Sequence, residues 1–240
     1  MRMIWLTGMV AGVALVIVII GLATGGGGKK VAAKTAQATV AALLKGIPQS
    51  GNVQNGIELG NPNAPVTMTE YGDLVCPICQ SFALGGEQQL IANDVRAGKV
   101  KIIYRAAETA SQQANNGEFV AGQVAARAAG LQKLGWNYIL LWYEEQQSES
   151  TPYVTASFLA GLAGQIKGLN VTQWNTQLQN PNLTGDVTVD GRDMTQLVNT
   201  KAVPSFGTPT LLFSGPKGSV PPVQADVPYS ALKVAIKDIS

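Results

Sequence analysis

The sequence predicts an α/β domain with mainly parallel strand pairing, a helical insertion and a preceding membrane-spanning helix. Three observations carry that expectation. A strand, a helix and a second strand follow one another closely after residue 60, and the middle of the chain is dominated by Ala, Leu, Gln and Glu. The third is a run of 21 uncharged residues from Met3 to Ala23. Across 240 residues, a hydrophobic content of 46% excludes wholesale disorder.

The uncharged run is long enough to cross a bilayer as a helix. Gly21 and Ala23 have the spacing of the small residues before a signal cleavage site, so secretion after cleavage at Ala23 is the alternative to a retained anchor. A buried core helix explains the run less well, because core helices of this length carry a polar face. Arg2 flanks one end and Lys29, Lys30 and Lys34 the other, a bias that taken literally keeps the following chain in the cytoplasm. Long domains translocate largely regardless of that bias, and two cysteines behind an export-like leader suit an oxidising compartment. The expectation is a single-pass protein of the cell membrane with its domain outside the cytoplasm.

Residues 1–30 are therefore assigned to the span and its Gly-rich exit, 31–59 to a stalk or linker, and 60–240 to the folded domain. Within the stalk, the alanine-rich stretch Val31 to Lys45 predicts a short helix stopped by Gly46 and Pro48. Gly51 to Pro65 is rich in Gly, Asn and Pro and predicts irregular chain. Val66 to Tyr71 then alternates as a strand does, with Val66, Met68 and Glu70 on one face. Pro77 suits the first turn of a helix, along which Phe82, Leu84, Leu90 and Ile91 supply apolar positions before Gly98. Val100 to Arg105 predicts the second strand, completing a βαβ unit.

Helical spacing follows over Glu118–Gln146, Val154–Ile166, Val171–Leu178 and Asp186–Thr200, an insertion over roughly residues 115–200. Thr208 to Phe213 predicts a strand, Ser214 to Gly218 a turn, and Val220 to Val227 a proline-broken edge strand. A closing helix begins near Val227, with Leu232, Val234, Ala235, Ile236 and Ile239 on its inner face.

Composition narrows the chemistry. The chain contains no histidine, which removes Ser-His and Cys-His nucleophile pairs and every His-containing metal site. With 13% charged residues and a net charge of +2, no basic stripe exists for nucleic acid. Two cysteines remain, in the order Cys76-Pro77-Ile78-Cys79, at the junction of a strand and a helix. Free N–H groups and the positive end of the helix dipole stabilise a thiolate there, which makes Cys76 the attacking group, facing water. One turn on, Cys79 is placed to close a small ring with it and to resolve a mixed disulfide. So short a loop gains little chain entropy, which argues against a purely stabilising disulfide. A zinc site, needing four ligands, is a rival that would recruit carboxylates or a second chain. An inert disulfide or two buried thiols is another.

The segment Glu70-Tyr71-Gly72-Asp73-Leu74-Val75-Cys76-Pro77-Ile78-Cys79, with Phe82 after it, resembles the active-site stretch of the DsbA-like thiol-disulfide oxidoreductases of the thioredoxin fold. Phe206-Gly207-Thr208-Pro209-Thr210 resembles that family's second signature, a Thr-Pro whose proline is cis and faces the active site. The likeness covers residues 60–240 and leaves the anchor and stalk outside it.

This resemblance implies a thioredoxin-like fold and thiol-disulfide exchange on exported client proteins. It implies Cys76 as nucleophile, Cys79 as resolving thiol, a Cys76–Cys79 disulfide in the oxidised state, and Pro77 and Ile78 as the dipeptide that tunes redox poise. Pro209, with Thr208 before it, would bind an extended client segment. A quinone-linked membrane partner is implied as reoxidant, and no cofactor or metal. Strongly oxidising relatives carry His in the dipeptide; neutral Ile78 predicts a Cys76 pKa lowered less than theirs. Glu70 stands where the family often has a buried acid. Turned inward it has a raised pKa and relays a proton for Cys79; the alternative is a solvent-facing strand end. Asp73 is expected to be structural. Two other functions fit the same residues: a membrane-tethered reductase or isomerase, and a noncatalytic extracytoplasmic adaptor whose disulfide braces a loop.

Overall fold

Five strands form one sheet in the order β1-β3-β2-β4-β5. They are β1 (Ile57–Leu59), β2 (Val66–Gly72), β3 (Val100–Ala106), β4 (Thr210–Gly215) and β5 (Gly218–Ser219). The structure, a computed structural model, describes residues 27–110 and 117–240. The expected membrane span at residues 3–23 lies outside the described residues. Among the described residues, no helix is long and apolar enough to cross a membrane.

β2 and β3 pair in parallel, from Val66 opposite Val100 to Gly72 opposite Ala106. The crossover between them is helical: α2 (Pro77–Leu84), α3 (Gly86–Leu90) and a π turn over Ile91–Val95. Parallel pairing is confined to this unit, against the mainly parallel sheet expected, because β1–β3, β2–β4 and β4–β5 are all antiparallel. β4 enters from the far side of the insertion and turns back at once into β5, which only antiparallel pairing permits. On β2 the face bearing Val66, Met68 and Glu70 is fully buried, as are Val100 and Ile102 on β3.

The insertion between β3 and β4 consists of α4 (Glu118–Gly130), α5 (Gly135–Glu145), α6 (Ala156–Gln165), α7 (Val171–Gln177) and α8 (Pro181–Asn199). Side-chain caps set three of their starts: Thr155 accepts from the Phe158 N–H, Asn170 from Gln173 and Asn180 from Asn182. Its core is aromatic. Trp136, Trp142 and Trp174 are all buried, and the Trp136 and Trp174 indoles donate 2.9 Å hydrogen bonds to the Ile57 and Ala125 carbonyls.

Residues 31–59 are not a free stalk. The helix α1 (Gly27–Leu44) buries Ala36, Val40 and Leu44, spaced four apart, and packs on α5. Arg96 donates to the Lys45 carbonyl at 2.8 Å, closing the carboxyl end of α1. β1 is part of the sheet, so the packed body reaches upstream of residue 60. At the other end, the edge strand expected over Val220–Val227 is reduced to one bridge between Leu211 and Val223, because Pro221 and Pro222 have no N–H to donate. The last helix, α9 (Tyr229–Ile239), buries Leu232, Ile236 and Ile239. Val234, expected inside, is 60% exposed because it lies off that stripe.

Asp190 of α8, fully buried, ties the insertion to the sheet. It accepts from the Arg105 guanidinium at 2.7 Å and the Ala106 N–H at 2.8 Å, both on β3, and from Arg127 of α4. Arg105 also reaches Asp193 at 2.6 Å.

Candidate active site

β2 delivers the chain into a tight turn held by Asp73. The Asp73 carboxylate accepts from the Val75 N–H at 3.0 Å, and its carbonyl accepts from the Cys76 N–H at 3.0 Å. Cys76 thereby becomes the residue that starts α2, in extended conformation (φ −68, ψ 123), with Pro77 in the first turn. Proline suits that place, since its fixed φ is already helical and its missing N–H had no partner to lose.

The two cysteines are free thiols that approach to 3.6 Å. Cys76 keeps 6% of its surface exposed and Cys79 none, so the opening to solvent is narrower than expected and belongs to Cys76. The dipeptide between them lies at the surface, with Ile78 50% exposed. The Thr208–Pro209 peptide is cis. Pro209 is buried, Thr208 is half-buried, and the Cys76 thiol donates to the Thr208 carbonyl at 3.7 Å. These loops are also joined through Thr109, whose N–H donates to Asp73 at 2.9 Å and whose hydroxyl lies 2.5 Å from that of Thr208.

The site divides the two thiols electrostatically. The Cys79 thiol donates to Cys76, and together with the Cys79 and Ile78 N–H groups and Thr208 it lowers the Cys76 pKa to about 6, against the opposing effect of burial. Ile78 thus contributes through its backbone, although its side chain is neutral. Burial pushes Cys79 far up, as do its hydrogen bond to Cys76 and the nearby negative charge of Cys76 and Glu70. One sulfur is built to be an anion at neutral pH and the other a thiol.

Glu70 lies inward on the face of Val66 and Met68, and burial raises its pKa to about 7. Between the ordinary value of 4.5 and about 7, folded Glu70 holds a proton that the unfolded chain has released. Stability therefore falls as pH rises through that window, by about 3 kcal/mol from Glu70. Glu70→Gln is expected to remove the Glu70 share of this slope and leave that of Glu87, whose pKa burial also raises, as read by urea denaturation of the two proteins at pH 4.5 to 8.

Four further participants are not singled out by the sequence. Thr109 sits in the loop after β3, with nothing local to mark it. Tyr104 and Tyr143, buried around Cys79 and Glu70, look like ordinary core aromatics in a sequence. Glu87 is fully buried beside Glu70. It lies four residues after Ala83 and four before Ile91, on the apolar stripe, which was the available signal. Among the described residues no group of three metal-binding side chains is assembled.

A family model described as Thioredoxin matches residues 52–216, and the chain belongs to that family. The fold is that of DsbA-type members. BdbD from Bacillus subtilis superposes with a TM-score of 0.62 at 18% identity, covering 80% of this chain and 96% of that one. Alpha-DsbA1 of Wolbachia pipientis gives 0.61 at 15% identity, covering 78% and 92%. DsbA of Chlamydia trachomatis gives 0.63 at 14% identity, again covering 78% and 92%. No curated protein matches the chain.

Proposed function

We propose that this protein is a thiol-disulfide oxidoreductase that oxidises client proteins through Cys76 and Cys79. The observation that carries the proposal is the pairing of a Cys76 thiol whose pKa falls to about 6 with a buried, high-pKa Cys79 at 3.6 Å. A stabilised Cys76 thiolate favours the reduced pair and so makes its disulfide an oxidant. The solved structures it superposes on include one called a thiol-disulfide exchange protein, alpha-DsbA2 of Wolbachia pipientis.

In the proposed cycle a client thiolate attacks Cys76 Sγ of the Cys76–Cys79 disulfide. The S–S bond breaks, Cys79 leaves and takes a proton, and the client is linked to Cys76. The client's second thiolate attacks its own linked sulfur, forming the client disulfide and releasing Cys76 as the thiolate. Two electrons now rest on the protein, and a membrane redox partner, quinone-linked, is proposed to remove them. Thr208 main-chain groups, beside Cys76, offer an extended client segment strand-like pairing, with Pro209 contributing no competing N–H. Pro77 and Ile78 form the exposed rim that the client meets. The uncharged run Met3–Ala23 supports a membrane tether, and the cysteine pair behind it supports a domain outside the cytoplasm.

Trapping tests this reading. With Cys79→Ser expressed in an oxidising cell envelope, client proteins are expected to accumulate disulfide-linked to Cys76 and to be released by reductant. An empty trap contradicts the proposal.

A further inference from the structure

Beside Glu70 the core holds a second carboxyl that the cycle above does not use. α2 ends at Leu84, and Gly85 (φ −111, ψ −98) breaks the helix so that α3 restarts at Gly86. A Cβ on Gly86 would lie 2.2 Å from the Val227 carbonyl oxygen, so only glycine fits there. The next residue, Glu87, is fully buried alongside Glu70. Neither carboxyl receives an N–H or O–H from any other described group. The ion pairs among the described residues lie elsewhere, at Lys99–Asp94, Arg105–Asp190, Arg105–Asp193 and Arg127–Asp190. Each of the two glutamates is within hydrogen-bond reach of the other. Two carboxylates with no cation do not both stay ionised in a dry core, and the only hydrogen bond open to them needs a proton between them.

We propose that Glu87 is a positioning residue for disulfide exchange: it remains a neutral carboxylic acid and donates its O–H to Glu70, leaving Glu70 as the member that exchanges a proton with Cys79. The inference rests on the thiol-disulfide exchange reading above.

The neighbouring elements support this division of roles. Cys79 on α2, Tyr104 on β3 and Tyr143 on α5 are the titratable groups that act electrostatically with Glu70. The Tyr104 hydroxyl accepts from Gln123 of α4 at 3.1 Å, and β4 places Leu211 opposite Glu70. Tyr229 of α9 is engaged with Asp94 of the π turn, to which it donates at 2.8 Å. Among the described residues, no cation is paired with either carboxyl from these sides. Burial and the charge of Glu70 push Glu87 well up, while burial raises Glu70 as well and the hydrogen bond from Glu87 limits that rise to about 7. When Cys79 leaves its disulfide, the proton passes from the Glu70 carboxyl to the sulfur, and the Glu70 carboxylate keeps the Glu87 O–H. The reverse transfer deprotonates Cys79 when the disulfide closes.

The test compares Glu87→Leu and Glu87→Gln in the full chain, reading the pH dependence of the step in which Cys79 resolves a mixed disulfide between Cys76 and glutathione. The parent is expected to inflect at about 7. Glu87→Gln, which keeps a neutral donor, retains that inflection. Glu87→Leu, which removes the donor, moves it up by about one pH unit or more, with the pH dependence of Cys76 alkylation in place. An unmoved inflection in Glu87→Leu overturns the role of Glu87 and leaves the exchange reading standing, whereas a parent that resolves no mixed disulfide fails that reading itself. If Glu87→Leu does not fold, infrared spectroscopy decides. A protonated-carboxyl band that persists at pH values well above the Glu70 inflection of about 7 and that Glu87→Gln abolishes supports the proposal, and a band unchanged there in Glu87→Gln overturns it.

Discussion

Cys76→Ser is expected to reduce client oxidation to the uncatalysed background, the largest effect of any single substitution in this chain. At pH 7 a thiol with a pKa of about 6 is roughly nine-tenths thiolate, against a few per cent for an unperturbed cysteine. That anion makes Cys76 a good leaving group when the client disulfide forms, and serine forfeits more than this, because a hydroxyl forms no disulfide at all. Glutathione-driven oxidation of a reduced, unfolded client measures it directly. Cys76→Ser activity equal to that of the parent would instead favour a noncatalytic adaptor.

Asp190→Ala is expected to cost about 3–5 kcal/mol of folding stability, because it leaves Arg127 and Arg105 buried or half-buried without their shared partner. It also strips the Ala106 N–H, at the end of the parallel strand, of its acceptor. Urea denaturation should show a much lower midpoint with an unchanged slope. A loss under about 1 kcal/mol would mean that the two arginines find water or other acceptors.

What the sequence made legible was local. Cys76, Pro77 and Cys79 could be placed at a helix start because alternation ends at β2 and a proline opens α2 within a few residues. β3 announces itself by its β-branched run in the same way. The alternation of β2 also put Glu70 on the face of Val66 and Met68, though it could not say which face was inside.

The features that escaped are tertiary. Ala36, Val40 and Leu44 make too narrow a stripe in an alanine-rich helix to distinguish a packed α1 from a solvated stalk. Asp190 looks like any charge on an exposed helix until Arg105 and Arg127 arrive from β3 and α4. Glu87 was hidden by the Gly85-Gly86 break, across which helical spacing is hard to carry. The start of α8 was recoverable, since Asn180 followed by Pro181 is a cap and a first-turn proline, five residues before the Asp186 start expected.

The central claim is that the Cys76 sulfur is an anion at neutral pH while Cys79 stays a buried thiol. Titrating the alkylation rate of the fully reduced protein against pH, with mass spectrometry to locate the label, tests it most directly. The account predicts a single modified residue, Cys76, with a midpoint at about 6. A midpoint at about 8.5, the value of an ordinary cysteine, or equal labelling of both sulfurs, would contradict it.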